Sequence, residues 1–442
     1  MKGHYKILDT VLGLILFICI NAFFIIRHNP WWILPIAVLF IIANVSVGFA
    51  RSDVTNYRLL LSYHGCVMLT ISAAILPFTL MHYTYLAYAL LPSEYMTLIY
   101  SAIYTVALYA VVVANGTISI YMTSLQLGVK WRAFGVLFSL IPVVNIFILV
   151  KMVMRVFREV NFETMREERN RARCNDKVCA TKYPILLVHG IFMRDWGLFN
   201  YWGRIPEELE TNGARIYYGE HQSALPVAES AQELATRIKR IIAKTGCEKV
   251  NIIAHSKGGL DCSYALQYCG ISDMVASLTT INSPHKGCVF AENLLKTAPK
   301  WLAQRVSDSY NKSMRFLGDK TPDFMAGVRD LTAMSSEKRY KAMTLPEGIL
   351  YRSVTSKQNG PFAGRFPMNI SERYVRRYDG ANDGLVGVSS AEFGEEFTLL
   401  EISGGRGITH MDMIDMSRED IKGFDVREFY VEMVADLKAR GL

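Results

Sequence analysis

The sequence predicts two bodies in series: an all-α transmembrane helical bundle over residues 1–156, then an α/β domain with a mainly parallel sheet over residues 183–442. Three observations carry this. The first 150 or so residues are almost continuous apolar runs separated by short polar breaks, and 51% of the 442 residues are hydrophobic, with a positive mean hydropathy. From Tyr183 onward, short β-branched runs alternate with helical segments, as in a sheet covered by helices on both faces. Between the two, residues 157–182 are charged and poorly apolar and read as a basic juxtamembrane helix or linker.

In the first body, Ile7 to Ile26, Trp32 to Ala50, Leu59 to Leu80 and Met96 to Ile118 are each long enough to cross a hydrocarbon core of roughly 30 Å as a helix. Lys2 and Lys6 ahead of the first run mimic a secretory signal. With no small-residue cleavage site following, that run is expected to be retained. Trp31 and Trp32, after the tight Arg27 to Trp31 break, suit an interface. A fifth run, Phe134 to Val150, carries Pro142 and Asn145 and either crosses or enters and returns. Basic residues mark alternate ends (Lys2 and Lys6, Arg51 and Arg58, Lys130 and Arg132), whereas the Met81 to Tyr95 loop has none, so the amino terminus is expected in the cytoplasm of a cell-membrane protein. Four crossings keep the second body on the cytoplasmic side, which suits the Lys151 to Arg173 cluster. Five would export it. His64 is expected to hydrogen-bond within the bundle rather than to serve a proton relay.

The net charge of +8 is modest and its basic residues crowd the juxtamembrane region, so the expected partner is a membrane bilayer and not a nucleic acid. Eight dispersed cysteines make neither a disulfide scaffold nor a paired zinc motif. Cys174 and Cys179 are close enough in sequence to bridge in an oxidising compartment, and equally suit free thiols.

In the second body, strands are expected at Ile185 to Val188, Ala214 to Tyr218, Val250 to Ala254, Ala276 to Ile281, Ile349 to Val354 and Phe397 to Ile402. A helix over Ala228 to Lys244 presents Leu234, Ile238, Ile241 and Ile242 as its covering face. The third strand runs into Ala254-His255-Ser256-Lys257-Gly258-Gly259. This fits a strand–turn–helix elbow carrying one serine, with alanine in the first glycine position; by itself it equally fits an ordinary βα loop. The first strand ends in His189-Gly190, where glycine permits a close approach.

Taken together, YPILLVHGIF, AHSKGGL, Tyr201 to Glu207 (YWGRIPE), Asn212-Gly213-Ala214, Lys249-Val250-Asn251 and Ser283 to Gly287 (SPHKG) resemble the α/β-hydrolase superfamily. More narrowly, they resemble bacterial true lipases of the Pseudomonas and Burkholderia type. The resemblance spans most of Tyr183 to Ile414 and leaves out the membrane region. It implies an oxyanion hole from the backbone N–H groups of Ile191 and Lys257, two fixed donors about 2.7–3.1 Å from a developing oxyanion. Since these are backbone groups, the Lys257 side chain need not matter to them.

A serine hydroxyl needs a base. Of the nine histidines, His410 in GITHMD comes after the last strand, where the fold's order of Ser, acid, His requires the base, and it matches the family's histidine motif. Asp383 in Gly380-Ala381-Asn382-Asp383-Gly384-Leu385-Val386 matches the family's acid motif and is favoured over Asp379, four residues earlier in a turn-rich stretch. Asp412 corresponds to a calcium ligand in the resembling lipases. Met416 stands where the family places a side-chain oxygen, and the first carboxylate of that site has no clear counterpart. No cofactor is therefore required, a structural calcium at Asp412 stays open, and a backbone-bonded Asp412 serves as well.

An insertion over about residues 288–343 carries Phe290, Leu294, Leu295, Trp301 and Leu302 near one helical face and reads as a lid, though helices covering a sheet are amphipathic too. Pro299 is expected to interrupt its first helix. The expected activity is that of a membrane-anchored serine ester hydrolase, a lipase or carboxylesterase acting on lipid or other acyl esters through an acyl-enzyme. Acyl transfer through the same triad is the alternative within that class. A non-catalytic membrane scaffold is the alternative outside it.

Overall fold

The computed structural model describes residues 4–91, 93–139, 141–191, 200–316 and 318–442. Lys2, one of the charges setting the expected orientation, lies outside them, as do Pro92 in the Met81 to Tyr95 stretch, Leu140 in the fifth run, Phe192 after the His189-Gly190 pair, and Leu317 in the insertion. The chain divides into two compact units, Met1–Arg171 and Ala172–Leu442.

Among its described residues the first unit is helical, with no strand: α1 His4–Ile20, α2 Phe23–His28, α3 Ile33–Ser46, α4 Tyr57–Leu90, α5 Tyr95–Thr123, α6 Gly128–Leu137 and α7 Pro142–Arg173. Two of these, α4 and α5, are long and apolar enough to cross a membrane. The other two expected spans are shorter than their apolar runs. Ile7 to Ile26 breaks at Asn21, whose side-chain amide donates to the Phe17 carbonyl (2.9 Å), leaving 17 residues in α1. Trp32 to Ala50 yields 14 residues in α3, ending where Gly48 turns at φ 81° and donates its N–H to Asp9 (2.7 Å). At 1.5 Å per residue these helices are only about 26 and 21 Å long. The expected Met81 to Tyr95 loop is shorter too, because α4 continues through Pro77 to Leu90.

Packing in this unit places small and polar groups inside. A Cβ at Gly65 would lie 2.7 Å from Ile120 and 2.8 Å from the Gly116 carbonyl, so α4 and α5 meet backbone to backbone. His64 is buried, with Nδ1 2.6 Å from the Val47 carbonyl and Nε2 3.3 Å from Asn115, as expected for an internally bonded histidine. The fifth run is not one segment: it divides between α6 and α7, and Pro142 opens α7, where a missing N–H leaves no intrahelical acceptor unfilled. Much of the expected linker continues α7. Its Glu159 is buried and accepts from Arg58 (2.7 Å), Ser124 Oγ (2.6 Å) and the N–H groups of Leu125 and Gln126.

The second unit is a six-stranded, wholly parallel sheet in the order β2-β1-β3-β4-β5-β6. In chain order it runs β1 Ile185–Val188, α8 Ile205–Thr211, β2 Ile216–Tyr218, α9 Val227–Thr245, β3 Val250–His255, α10 Lys257–Tyr268 and β4 Val275–Ile281. The insertion follows as α11 Val289–Thr297, α12 Lys300–Phe316, α13 Phe324–Asp330 and α14 Ala333–Lys341. The unit closes with β5 Leu350–Ser356, α15 Met368–Asp379, α16 Val388–Ala391, β6 Glu396–Leu400 and α17 Val426–Ala439. Alternate residues of β1 and β3 feed two cores, as period-2 strands buried on both faces require. Leu186, Val188, Ile252 and Ala254 face α9 and α10, where Leu234, Ile238 and Ile241 close the layer. Ile185, Leu187 and Ile253 face the other way, toward Leu209, Tyr430 and Val434. This is a parallel α/β sheet with helices on both faces, as the alternation of strands and helices predicts. Cys174 and Cys179 are unbridged, and the Cys179 Sγ donates to the Val431 carbonyl. Pro299 lies in the break between α11 and α12.

Candidate active site

The register of the sheet assembles the site. Val188 pairs with Ala254, so His189-Gly190 leaves β1 beside His255-Ser256 leaving β3. Ser256 then turns at φ 55°, ψ −129°, a conformation that an L-residue adopts only when its surroundings force it. The small residues around it do so. A Cβ at Gly258 would lie 2.5 Å from the His189 carbonyl, one at Gly259 would collide with Ser283, and one at Gly190 would lie 2.7 Å from the Ser256 Cβ. The Ser256 N–H is spent on the Ile281 carbonyl (2.9 Å). Lys257 is the first residue of α10, where an N–H has no intrahelical acceptor.

His410 Nδ1 lies 2.7 Å from Asp383 Oδ2, and the His410 N–H donates to the Asp383 carbonyl (2.9 Å). The other carboxylate oxygen accepts from the N–H groups of Leu385 and Val386, both 2.8 Å, so the buried Asp383 is fully engaged and aimed. Asp379 faces elsewhere. It accepts from the N–H groups of Val289 and Phe290, both 2.9 Å, and so caps the start of α11; burial raises its pKa. Ser256, His410 and Ile191 line one small, partly open cavity of about 30 Å³, with Tyr201, His255, Leu385, Met411 and Met416. A larger cavity of about 200 Å³, lined by Thr279, Arg352 and Phe429 among others, shares no residue with it.

Sequence reasoning assigned no role to several side chains that build this site. The Tyr201 hydroxyl accepts from the Gly190 N–H (3.0 Å) and lies 2.7 Å from His255 Nδ1, while His255 Nε2 lies 3.2 Å from the His410 carbonyl. Burial, with His410 beside it, holds His255 well below the usual histidine pKa, so the neutral ring accepts from Tyr201 and donates to His410. One chain of hydrogen bonds thus joins the His189-Gly190 turn to the His410 loop. Arg204, in the same YWGRIPE segment, forks onto the buried Asp415 (2.7 and 2.8 Å) just beyond that loop. The matched segment carries the only sequence signal for either residue.

The Lys257 side chain, left without a role by the sequence, is engaged in the core. It is 1% exposed, and its Nζ donates to both carboxylate oxygens of Asp261 (2.7 and 2.9 Å) and to Ser230 (3.0 Å). His221 stands 3.6 Å from Asp261 and stacks on His189 with ring centroids 4.1 Å apart. A buried ion pair therefore underlies the helix start next to Ser256. His285 points away from the cavity, stacked on Phe393.

Residues 183–350 match the family model for the alpha/beta hydrolase fold. Over 169 residues the chain is 34% identical to a triacylglycerol lipase of Pseudarthrobacter phenanthrenivorans, covering 36% of this chain and 52% of that protein. A triacylglycerol lipase of Burkholderia plantarii is also 34% identical over 169 residues, with 36% and 47% covered. One of Vibrio cholerae serotype O1 is 30% identical over 176 residues, with 38% and 56% covered. The chain spans about half the length of these curated relatives.

Proposed function

We propose that the chain is a membrane-anchored serine ester hydrolase acting on acyl esters of lipids. The observation that carries this is the His410 imidazole, held on the buried Asp383 at 2.7 Å and lining the same small cavity as Ser256. Ser256 Oγ attacks the ester carbonyl as His410 Nε2 takes its proton, and Asp383 holds the tautomer and stabilises the imidazolium. The N–H groups of Ile191 and Lys257 bind the oxyanion. His410 returns the proton to the departing alcohol, leaving an acyl group on Ser256. Water, deprotonated by His410, then releases the acid. The similarity to triacylglycerol lipases supports a lipid ester as substrate.

The cavity is small, about 30 Å³, so admitting an acyl chain requires it to widen. The four-helix insertion is the segment proposed to move. Two further observations support the membrane anchor: α4 and α5 are of crossing length, and Ile103, Val106 and Ile118 of α5 point outward while Ser101, Thr105 and Gly116 point inward. An even number of crossings, with the amino terminus and the catalytic unit both cytoplasmic, is the orientation proposed from the placement of the basic residues. Purified protein assayed on esters graded by acyl length is expected to hydrolyse them, and Ser256→Ala to abolish turnover. Equal turnover by the two proteins would remove the proposal. Protease cleavage of the catalytic unit from outside intact cells would reverse the orientation.

A further inference from the structure

Asp412, two residues beyond His410, is where the resemblance implies a calcium ligand, and its carboxylate is already committed. Arg406 Nη1 donates to Oδ2 (2.7 Å) and Nη2 to Oδ1 (3.1 Å), a two-pronged fork, and Oδ2 also accepts the Thr409 N–H (2.8 Å). The same Arg406 Nη2 donates to Glu419 (2.9 Å), which lies 3.6 Å from Arg365. Asp412 is only 3% exposed, so little solvent competes for these contacts. A calcium ion requires six to eight oxygens at about 2.3–2.6 Å. Here a guanidinium holds the one carboxylate that the resemblance offers, the Met416 side chain supplies no oxygen and instead lines the Ser256 cavity, and a second cation would face Arg406 at close range. The residues present do not fit a calcium site.

We propose that Arg406 is a positioning residue that does for the His410 loop what a divalent cation does in the lipases this chain resembles. The proposal deepens the ester-hydrolase reading and rests on it for its catalytic consequence. The planar fork fixes both the distance and the orientation of Asp412, which a point charge does not. Through Asp412, it fixes the Thr409 N–H on one side of His410. The His410 N–H is itself held by the Asp383 carbonyl (2.9 Å). Removing Arg406 frees the loop at the residues flanking the base, and a displacement of about 1 Å there lowers turnover by about 10²-fold without touching the substrate-binding surface.

The test uses the full-length protein in detergent. Dialysis against EGTA is expected to leave wild-type kcat and KM within about twofold, and addition of millimolar calcium to leave both the activity and the thermal midpoint unchanged. Arg406→Ala is expected to lower kcat about 10²-fold with KM within about twofold, with no rescue by calcium. Arg406→Lys, which keeps the charge and loses the fork, should fall between the two, and millimolar guanidinium should restore part of the Arg406→Ala activity. Loss of wild-type activity on chelation that calcium restores, a calcium-dependent rise in the thermal midpoint, or full kcat in Arg406→Ala would each overturn the proposal. The chelation and thermal arms use only wild-type protein, so they decide even where a variant fails to fold. A wild type inactive on every ester, yet thermally indifferent to calcium, would remove the hydrolase reading and leave a calcium-free loop standing.

Discussion

Lys257 Nζ sits 2.7 Å from Asp261 Oδ1, one helical turn along α10, and both side chains are about 1% exposed. A buried pair like this contributes little net stability when intact, because its attraction is offset by lost hydration, yet removing one partner strands the other. Lys257→Ala is therefore expected to destabilise the catalytic unit by about 3–5 kcal/mol. Replacing both residues by apolar ones of similar volume should recover most of that. Denaturant unfolding of the single and double variants checks the comparison; additive losses would mean that the two side chains act independently.

Asp383 and Asp379 are separable by kinetics. Asp383→Asn should reduce kcat about 10⁴-fold, since an amide in that position favours the wrong imidazole tautomer. Asp379→Asn should leave the chemistry near wild type and weaken the start of α11 by about 0.5–2 kcal/mol, the usual range for a lost helix cap. A reversed order of the two kcat effects would move the acid to Asp379.

Tyr201→Phe keeps the ring and removes the hydroxyl between Gly190 and His255. Two buried groups lose their partner, at about 1–3 kcal/mol each. The variant should fold with lowered stability and reduced kcat at nearly unchanged KM, because the loosened turn carries Ile191. A wild-type kcat would show that the Gly190 turn holds itself.

Three buried histidines set an acid limit on stability. Burial lowers His189 and His255 well below the usual 6.5, and His285 to about 3. Below about pH 6.5 the unfolded chain binds protons that the folded chain refuses, so stability rises with pH and falls on acidification. Each group contributes a slope of up to about 1.4 kcal/mol per pH unit, or roughly 4 for all three. Unfolding at pH 7.5 and pH 5.5 measures it; equal stability at the two would show that these rings are hydrated.

How much of this was legible in the sequence follows the physics of each region. The six strands were located to within a few residues because strands buried on both faces read as short apolar, β-branched runs bounded by turn residues, and α9 because Leu234, Ile238 and Ile241 carry a period near 3.6. In the first unit no such contrast exists. An all-apolar run does not reveal a break at Asn21, or that α3 stops before Gly48. Ser256, Asp383 and His410 could be proposed because each sits in a local motif; the structure places Asp383 on His410 and puts Ser256 and His410 in one cavity lining. Tyr201, Arg204 and Asp261 act through partners distant in sequence or through burial, which a side chain's identity does not disclose. Lys257 is the plainest case, since nothing in its local sequence shows that the fold encloses its ammonium with Asp261.

The central claim, that Ser256 is an activated nucleophile, is tested most directly by reacting the folded full-length protein with a fluorophosphonate and mapping the adduct by mass spectrometry. The expected result is one phosphonyl group on Ser256, absent from Ser256→Ala and strongly slowed in His410→Ala. Folded wild-type protein that hydrolyses esters without acquiring the adduct, or that acquires it on another residue, would contradict it.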